Sequence, residues 1–179
     1  CNLLNTNPSK VNTVKEIPFL PINFFKSHDI NSSKKPPERC FLSSKTTGEI
    51  ASKHHVNDLS LYIKSFNKCF SLFYGKIEDY VLLALLPSYL EREDSSLVFM
   101  VNHLIKKTNN PESGFYLNNL NELTKKLIEL ETKGKKTILL GVSFALLNLS
   151  ENFDWKIPNT IIIETGGMKG MRKELIRSD

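Results

Sequence analysis

The chain has 179 residues, 40% hydrophobic and 24% charged, which is ordinary for a soluble globular protein and long enough to bury a sizeable core. Its net charge of +5 is spread out. The densest basic groups are pairs (Lys34-Lys35, Lys106-Lys107, Lys125-Lys126, Lys135-Lys136), which argues against a nucleic-acid interface. No apolar run is long enough to span a bilayer, and no signal peptide is legible. Cys1, Cys40 and Cys69 are too few and too far apart for a disulfide framework or a metal motif, so a reducing, cytoplasmic setting is expected.

Residues 1–40 read as irregular, a leading segment packed on the domain that follows. Ile17-Pro18-Phe19-Leu20-Pro21-Ile22 holds two prolines among apolar residues, which suits an extended surface segment rather than a central strand. Phe24 and Phe25 are expected to bury, and the polar, Pro-rich stretch 32–38 leads into a loop.

That loop, 41–56, reads FLSSKTTGEIASKHHV. Ser43, Ser44, Thr46 and Thr47 place four hydroxyls within five positions, and Gly48 closes the group. Successive backbone N–H groups and hydroxyls in such a turn can form an anion-binding concavity, with glycine allowing conformations that a side chain penalises. Two readings stand: a phosphate-gripping loop, or a solvated Ser/Thr-rich connector. Composition alone favours the connector.

A helix is expected over 57–74, capped by Asn57 or Asp58 and stopped by Gly75. Leu59, Tyr62, Phe66, Phe70 and Phe73 make its apolar stripe, and Cys69 is expected in the core. Tyr80–Leu86, ended by Pro87, reads as a strand buried on both faces. Ser88 to Glu93 then lies at the C-terminal end of that strand, where ligands of open α/β sheets gather.

Ser95 opens a second helix with Leu97, Val101, Leu104 and Ile105 on its apolar face, and His103 sits beside that face in a structural or solvent-facing role. Residues 109–114 form a turn, and 115–117 a short extended piece. A third helix covers 119–133, with Leu120, Leu123, Leu127 and Leu130 inside. Strand 137–142, a short helix 143–151 capped by Ser143, and strand 159–164 follow. Strands alternate with helices, so the expected fold class is α/β, a mixed and largely parallel sheet flanked by helices, with 41–179 forming a partial nucleotide-binding domain.

After the last strand comes ETGGMKG, residues 164–170. Paired glycines there permit a ligand to approach the backbone, and equally suit a tight strand-to-helix turn. The segment is neither a Walker A loop nor a GxGxxG fingerprint.

Taken together, FLSSKTTGEIASKH (41–54), LLPSYLERE (85–93), LLGVSFALLNL (139–149) and ETGGMKGMRKE (164–174) occur in an order and spacing that resembles the LuxE-type acyl-protein synthetases, a branch of the acyl-adenylate-forming enzymes. The leading IPFLPINFFK (17–26) is similar too, so the resemblance covers nearly all of the chain. It implies ATP- and Mg²⁺-dependent activation of a carboxylic acid, typically a fatty acid, as an acyl-adenylate. The acyl group then passes to a thiol on an acceptor protein. Transfer to coenzyme A, as in phenylacetate-CoA ligases, is the close enzymatic alternative. A non-catalytic nucleotide- or acyl-binding module is the other.

By this resemblance Ser43, Ser44, Lys45, Thr46, Thr47, Gly48 and Lys53 would hold the ATP phosphates. Gly166, Gly167 and Met168 would lie beside the adenine, and Ser88 and Tyr89 would border the acyl site. The chain departs from the family at Lys45, where the family loop carries glycine. If that position needs a positive φ, lysine costs roughly 1 kcal/mol. It either adds a phosphate contact or weakens the loop. The family's YGMTE-like segment, C-terminal lysine and acceptor cysteine do not appear, so the catalytic residues are expected beyond residue 179 and the chain is expected to be an N-terminal part.

Overall fold

The structure, a computed structural model, describes residues 6–43, 50–87, 91–117, 119–153 and 156–166. The chain divides into two compact units, Cys1–Asn57 and Asp58–Asp179.

In the first unit, two 3₁₀ turns, Pro8–Lys10 and Val14–Glu16, precede a single helical turn, α1 (Phe24–Ser27). Between them the apolar side chains of the IPFLPI segment stay largely in solvent, and Phe19 is 97% exposed. Pro18 and Pro21 remove two ladder donors, so no strand forms there to hold these side chains on a surface. Phe24 and Phe25 are half-buried.

The expected loop 41–56 is instead flanked by a β-ribbon. Strand β1 (Arg39–Leu42) pairs antiparallel with β2 (Lys53–Val56), placing Cys40 opposite His55 and Phe41 opposite His54. Short polar strands such as Lys-His-His-Val carry no apolar alternation, which is why periodicity alone does not find them. Phe41 is the deeply buried side chain of β1.

The second unit opens with α2 (Leu59–Tyr74), whose N-cap Asp58 accepts a hydrogen bond from Leu61 N–H. Its stripe is shifted from the one expected. Phe66 and Phe70 are buried, and Tyr62, Ile63 and Tyr74 pack against the core. Phe73 and Cys69 are exposed. At 100° per residue the core-facing positions 62, 66, 70, 63 and 74 share one arc. Position 69 falls just outside its edge, whereas position 73 falls within it, so helical angle does not explain the exposure of Phe73.

Strand β3 (Val81–Leu85) is buried at every position, with Leu82, Leu83, Ala84 and Leu85 fully inaccessible. It leads to α3 (Ser96–Thr108), whose N-cap Ser95 accepts from Val98 N–H, and then to the short β4 (Gly114–Phe115). Helix α4 (Leu120–Thr132) is capped by Asn119, which accepts from Glu122 N–H, and buries Leu123, Leu127 and Leu130. Strand β5 (Thr137–Gly141), α5 (Ser143–Asn152) and β6 (Thr160–Glu164) complete the described order.

The four strands β3 to β6 form one parallel sheet in the order β4-β3-β5-β6, so the fold is α/β with helices between successive strands. Continuous apolar runs such as VLLAL and TILLG are what a parallel strand covered on both faces requires. Each fully buried leucine contributes about 1.5–3 kcal/mol relative to exposure. Strand β6 lies at the sheet edge, with Ile161 and Ile162 partly exposed. At the other edge the 109–114 turn does more than reverse the chain. Ser113 Oγ accepts from Leu82 N–H and hydrogen-bonds to Thr108 Oγ1, supplying β3 with a partner where β4 is too short to do so.

Candidate functional site at the sheet edge

The register aligns Leu85, Gly141 and Glu164 on one line across β3, β5 and β6. All three strands therefore end together. From β3 the chain leaves towards β4, and from β5 it leaves in the opposite direction, towards β6. The loops after β3 and β5 part at this point. Such a switch in strand order creates the crevice in which open α/β sheets take their ligands.

Three short described segments follow these strand ends: Leu86-Pro87, Val142-Ser143 and Glu164-Thr165-Gly166. Thr165 is pinned to β5, both its N–H (3.0 Å) and its hydroxyl (3.2 Å) donating to the Gly141 carbonyl. The Ser143 hydroxyl donates to Glu164 Oε1, joining the start of α5 to the end of β6. Ser143 is thus the first helical residue and not the cap. Val142 holds the cap position and offers no side-chain acceptor. The Glu164 carboxylate, drawn in by Ser143, lies where the α5 dipole favours negative charge.

Gly141 allows this close approach. A Cβ there would stand 2.9 Å from Leu146 Cγ and 3.1 Å from Leu85 Cβ, so only glycine lets α5 fold back onto the strand ends undisturbed. Gly166 has φ +77°, in the left-handed region that side chains rarely adopt. An edge carrying the exposed Glu164 carboxylate beside the half-buried Gly166 suits a ligand presenting hydroxyl or amino groups. The same carboxylate repels a phosphate placed directly against it.

Of the residues expected to hold ATP, Ser44, Lys45, Thr46, Thr47 and Gly48 lie outside the described residues, as do Gly167 and Met168 and the acyl-site pair Ser88 and Tyr89. Ser43, Lys53 and Gly166 are described. Ser43 closes the β1–β2 ribbon: its N–H donates to the Ser52 carbonyl (3.0 Å), and its Oγ accepts from Ser52 N–H (2.9 Å). Lys53 is exposed and pairs in register with Leu42. These two belong to the first unit, and Gly166 joins Ser143 and Glu164 in the second.

Sequence reasoning missed a polar cluster in the first unit. The His55 imidazole donates from Nε2 to Asp29 Oδ1 at 2.6 Å. That hydrogen bond, reinforced by charge attraction to His55, holds the Asp29 carboxyl below its usual range. His54 stacks on Phe25 with ring centroids 5.1 Å apart. The dipeptide His-His at 54–55 was the available signal, but nothing in the sequence ties it to Asp29, 26 residues upstream. Among the described residues no three His, Cys, Asp or Glu side chains are grouped to hold a metal ion, and no helix is long and apolar enough to cross a membrane. An open groove of about 290 Å³, lined by Thr6, Pro8, Val11, Ile17 and Pro18, contains none of the expected site residues.

Comparison with known proteins returns no family model, no curated protein and no solved structure that matches the chain.

Proposed function

We propose that the chain is the nucleotide-handling part of a cytoplasmic, ATP-dependent acid–thiol ligase of the acyl-protein synthetase type. The observation that supports this reading best is the C-terminal edge of the parallel sheet. There the segment beginning Glu164-Thr165-Gly166 leaves β6 beside Ser143, with Gly166 in a conformation reserved for glycine. In this reading Glu164, Ser143 and the Gly166 backbone receive the hydroxyl and amino groups of a nucleoside, with Gly167 and Met168 continuing the adenine side. As the resemblance implies, the ATP phosphates are assigned to the hydroxyls of Ser43, Ser44, Thr46 and Thr47, the Gly48 backbone, and the charges of Lys45 and Lys53.

Neutralising the phosphates in this way is what attack by a carboxylate on an α-phosphate requires, with Mg²⁺ sharing the charge. Ser88 and Tyr89, just beyond β3, border the acid. The acyl acceptor is a protein thiol, with coenzyme A as the alternative.

Calorimetric titration with ATP, followed by ATP–pyrophosphate exchange over a panel of fatty and aromatic acids, tests the reading. It predicts saturable ATP binding and exchange that depends on one class of acid. ATP binding without exchange would favour a non-catalytic nucleotide-binding module. Absence of both would overturn the reading.

A further inference from the structure

We infer that Cys40 is a nucleophilic thiol that accepts an acyl group, with His55 as its base and Asp29 as the residue that positions the imidazole. Cys40 and His55 are directly opposed in the β1–β2 ribbon, so their side chains leave the same face. The ladder fixes how close they come. Ser43 and Ser52 form a hydrogen-bonded pair, and alternation along an antiparallel ladder makes Leu42–Lys53 open, Phe41–His54 bonded and Cys40–His55 open. Open pairs bring the Cα atoms to about 4.5 Å and their side chains closest together.

The imidazole is set for this use. Nε2 is committed to Asp29 at 2.6 Å, so Nδ1 is the ring nitrogen left to act on the thiol. Nδ1 is buried and has no hydrogen-bond partner among the described residues, and the same holds for Asn57 Oδ1, two positions along the chain. Two buried acceptors without a donor call for an N–H, O–H or S–H group. The Cys40 thiol lies directly opposite in register. It makes a weak 3.9 Å contact to the Phe41 carbonyl, and the proposed role requires it to turn towards the imidazole instead. Catalytic hydrogen bonds of this kind commonly tighten only with substrate present.

The step balances without a further reagent. The thiol proton passes to His55 Nδ1, and sulfur attacks the carbonyl carbon of an activated ester. The S–C bond forms, the bond from carbon to the leaving oxygen breaks, and the leaving group departs as an oxyanion. The donor is any activated acyl ester, so the assignment stands apart from the ATP reading.

Cys69 provides an internal control, because it is exposed whereas Cys40 is half-buried. Exposure alone would make Cys69 the faster thiol. The experiment treats the chain with iodoacetamide and, separately, with 4-nitrophenyl butanoate, and follows each cysteine by peptide-resolved mass spectrometry. Cys40 is expected to react about fivefold faster than Cys69 and to carry the butanoyl thioester as 4-nitrophenolate is released. His55→Ala should remove the advantage, Asp29→Asn should reduce it, and Asp29→Glu should restore it in part. The Cys69 rate should not change in any variant, which separates loss of the base from loss of the fold. Equal rates for the two cysteines, or a Cys40 rate untouched by His55→Ala, would overturn the assignment.

Discussion

The parallel sheet of the second unit and the β-ribbon of the first solve opposite problems. In the sheet, β3 and β5 are buried at all ten positions and pair in register along their whole length. In the ribbon, one strand reads Lys-His-His-Val, and a buried imidazole nitrogen and a buried amide oxygen nearby have no partner among the described residues. The sheet supplies stability through burial, and the ribbon holds a buried acceptor open to a donor, which is where the proposed reactivity lies.

The largest expected effect comes from opening the sheet. Leu83→Ala removes a fully buried side chain from the strand between β4 and β5 and should cost about 2–5 kcal/mol, read as a lower urea midpoint by circular dichroism. Gly141→Ala tests the sheet where it meets the candidate site. Leu146 can shift away from the new methyl, but Leu85 Cβ cannot, so about 1–3 kcal/mol should be lost.

A smaller effect is expected from His103, which lies edge-on to Phe66 at 5.2 Å. Burial, then the charges of Lys107 and Lys106, lower its pKa from 6.5. The unfolded chain therefore binds the proton more readily. Stability is full above about pH 6.5 and falls as the pH drops through the lowered folded value. His103→Gln should flatten this part of the thermal-melting profile.

The smallest effect should come from the ribbon. Asp29 is 70% exposed, and Asp29→Asn should leave the urea midpoint within error while slowing Cys40. A midpoint shift comparable to that of Leu83→Ala would erase the contrast between the two regions.

The sheet and its helices were legible because their signals are local. Continuous apolar runs marked β3 and β5, and leucines at three- and four-residue steps marked α4. Where the reading slipped, one position decided it. Cys69 and Phe73 follow a three- and four-residue count from Phe66, yet they are exposed: Cys69 lies just outside the arc that Ile63 and Tyr74 extend, and Phe73 lies in the last turn of α2, where spacing alone does not secure a covering partner. Ser143 looked like a cap by residue type, but its hydroxyl is committed to Glu164, a contact 21 residues away. The Asp29–His55 pair has the same character. Contacts between distant polar residues leave no period in a sequence, so the candidate edge was legible as a place and not as a set of hydrogen bonds.

Hydrogen–deuterium exchange with and without saturating ATP tests the central claim most directly. The account predicts slowed exchange in peptides covering 141–146 and 164–166, where α5 begins and β6 ends, with the β4 edge at 114–115 unchanged. Protection confined to other peptides, or none at all under conditions where ATP binds, would contradict the placement of a nucleotide at this edge.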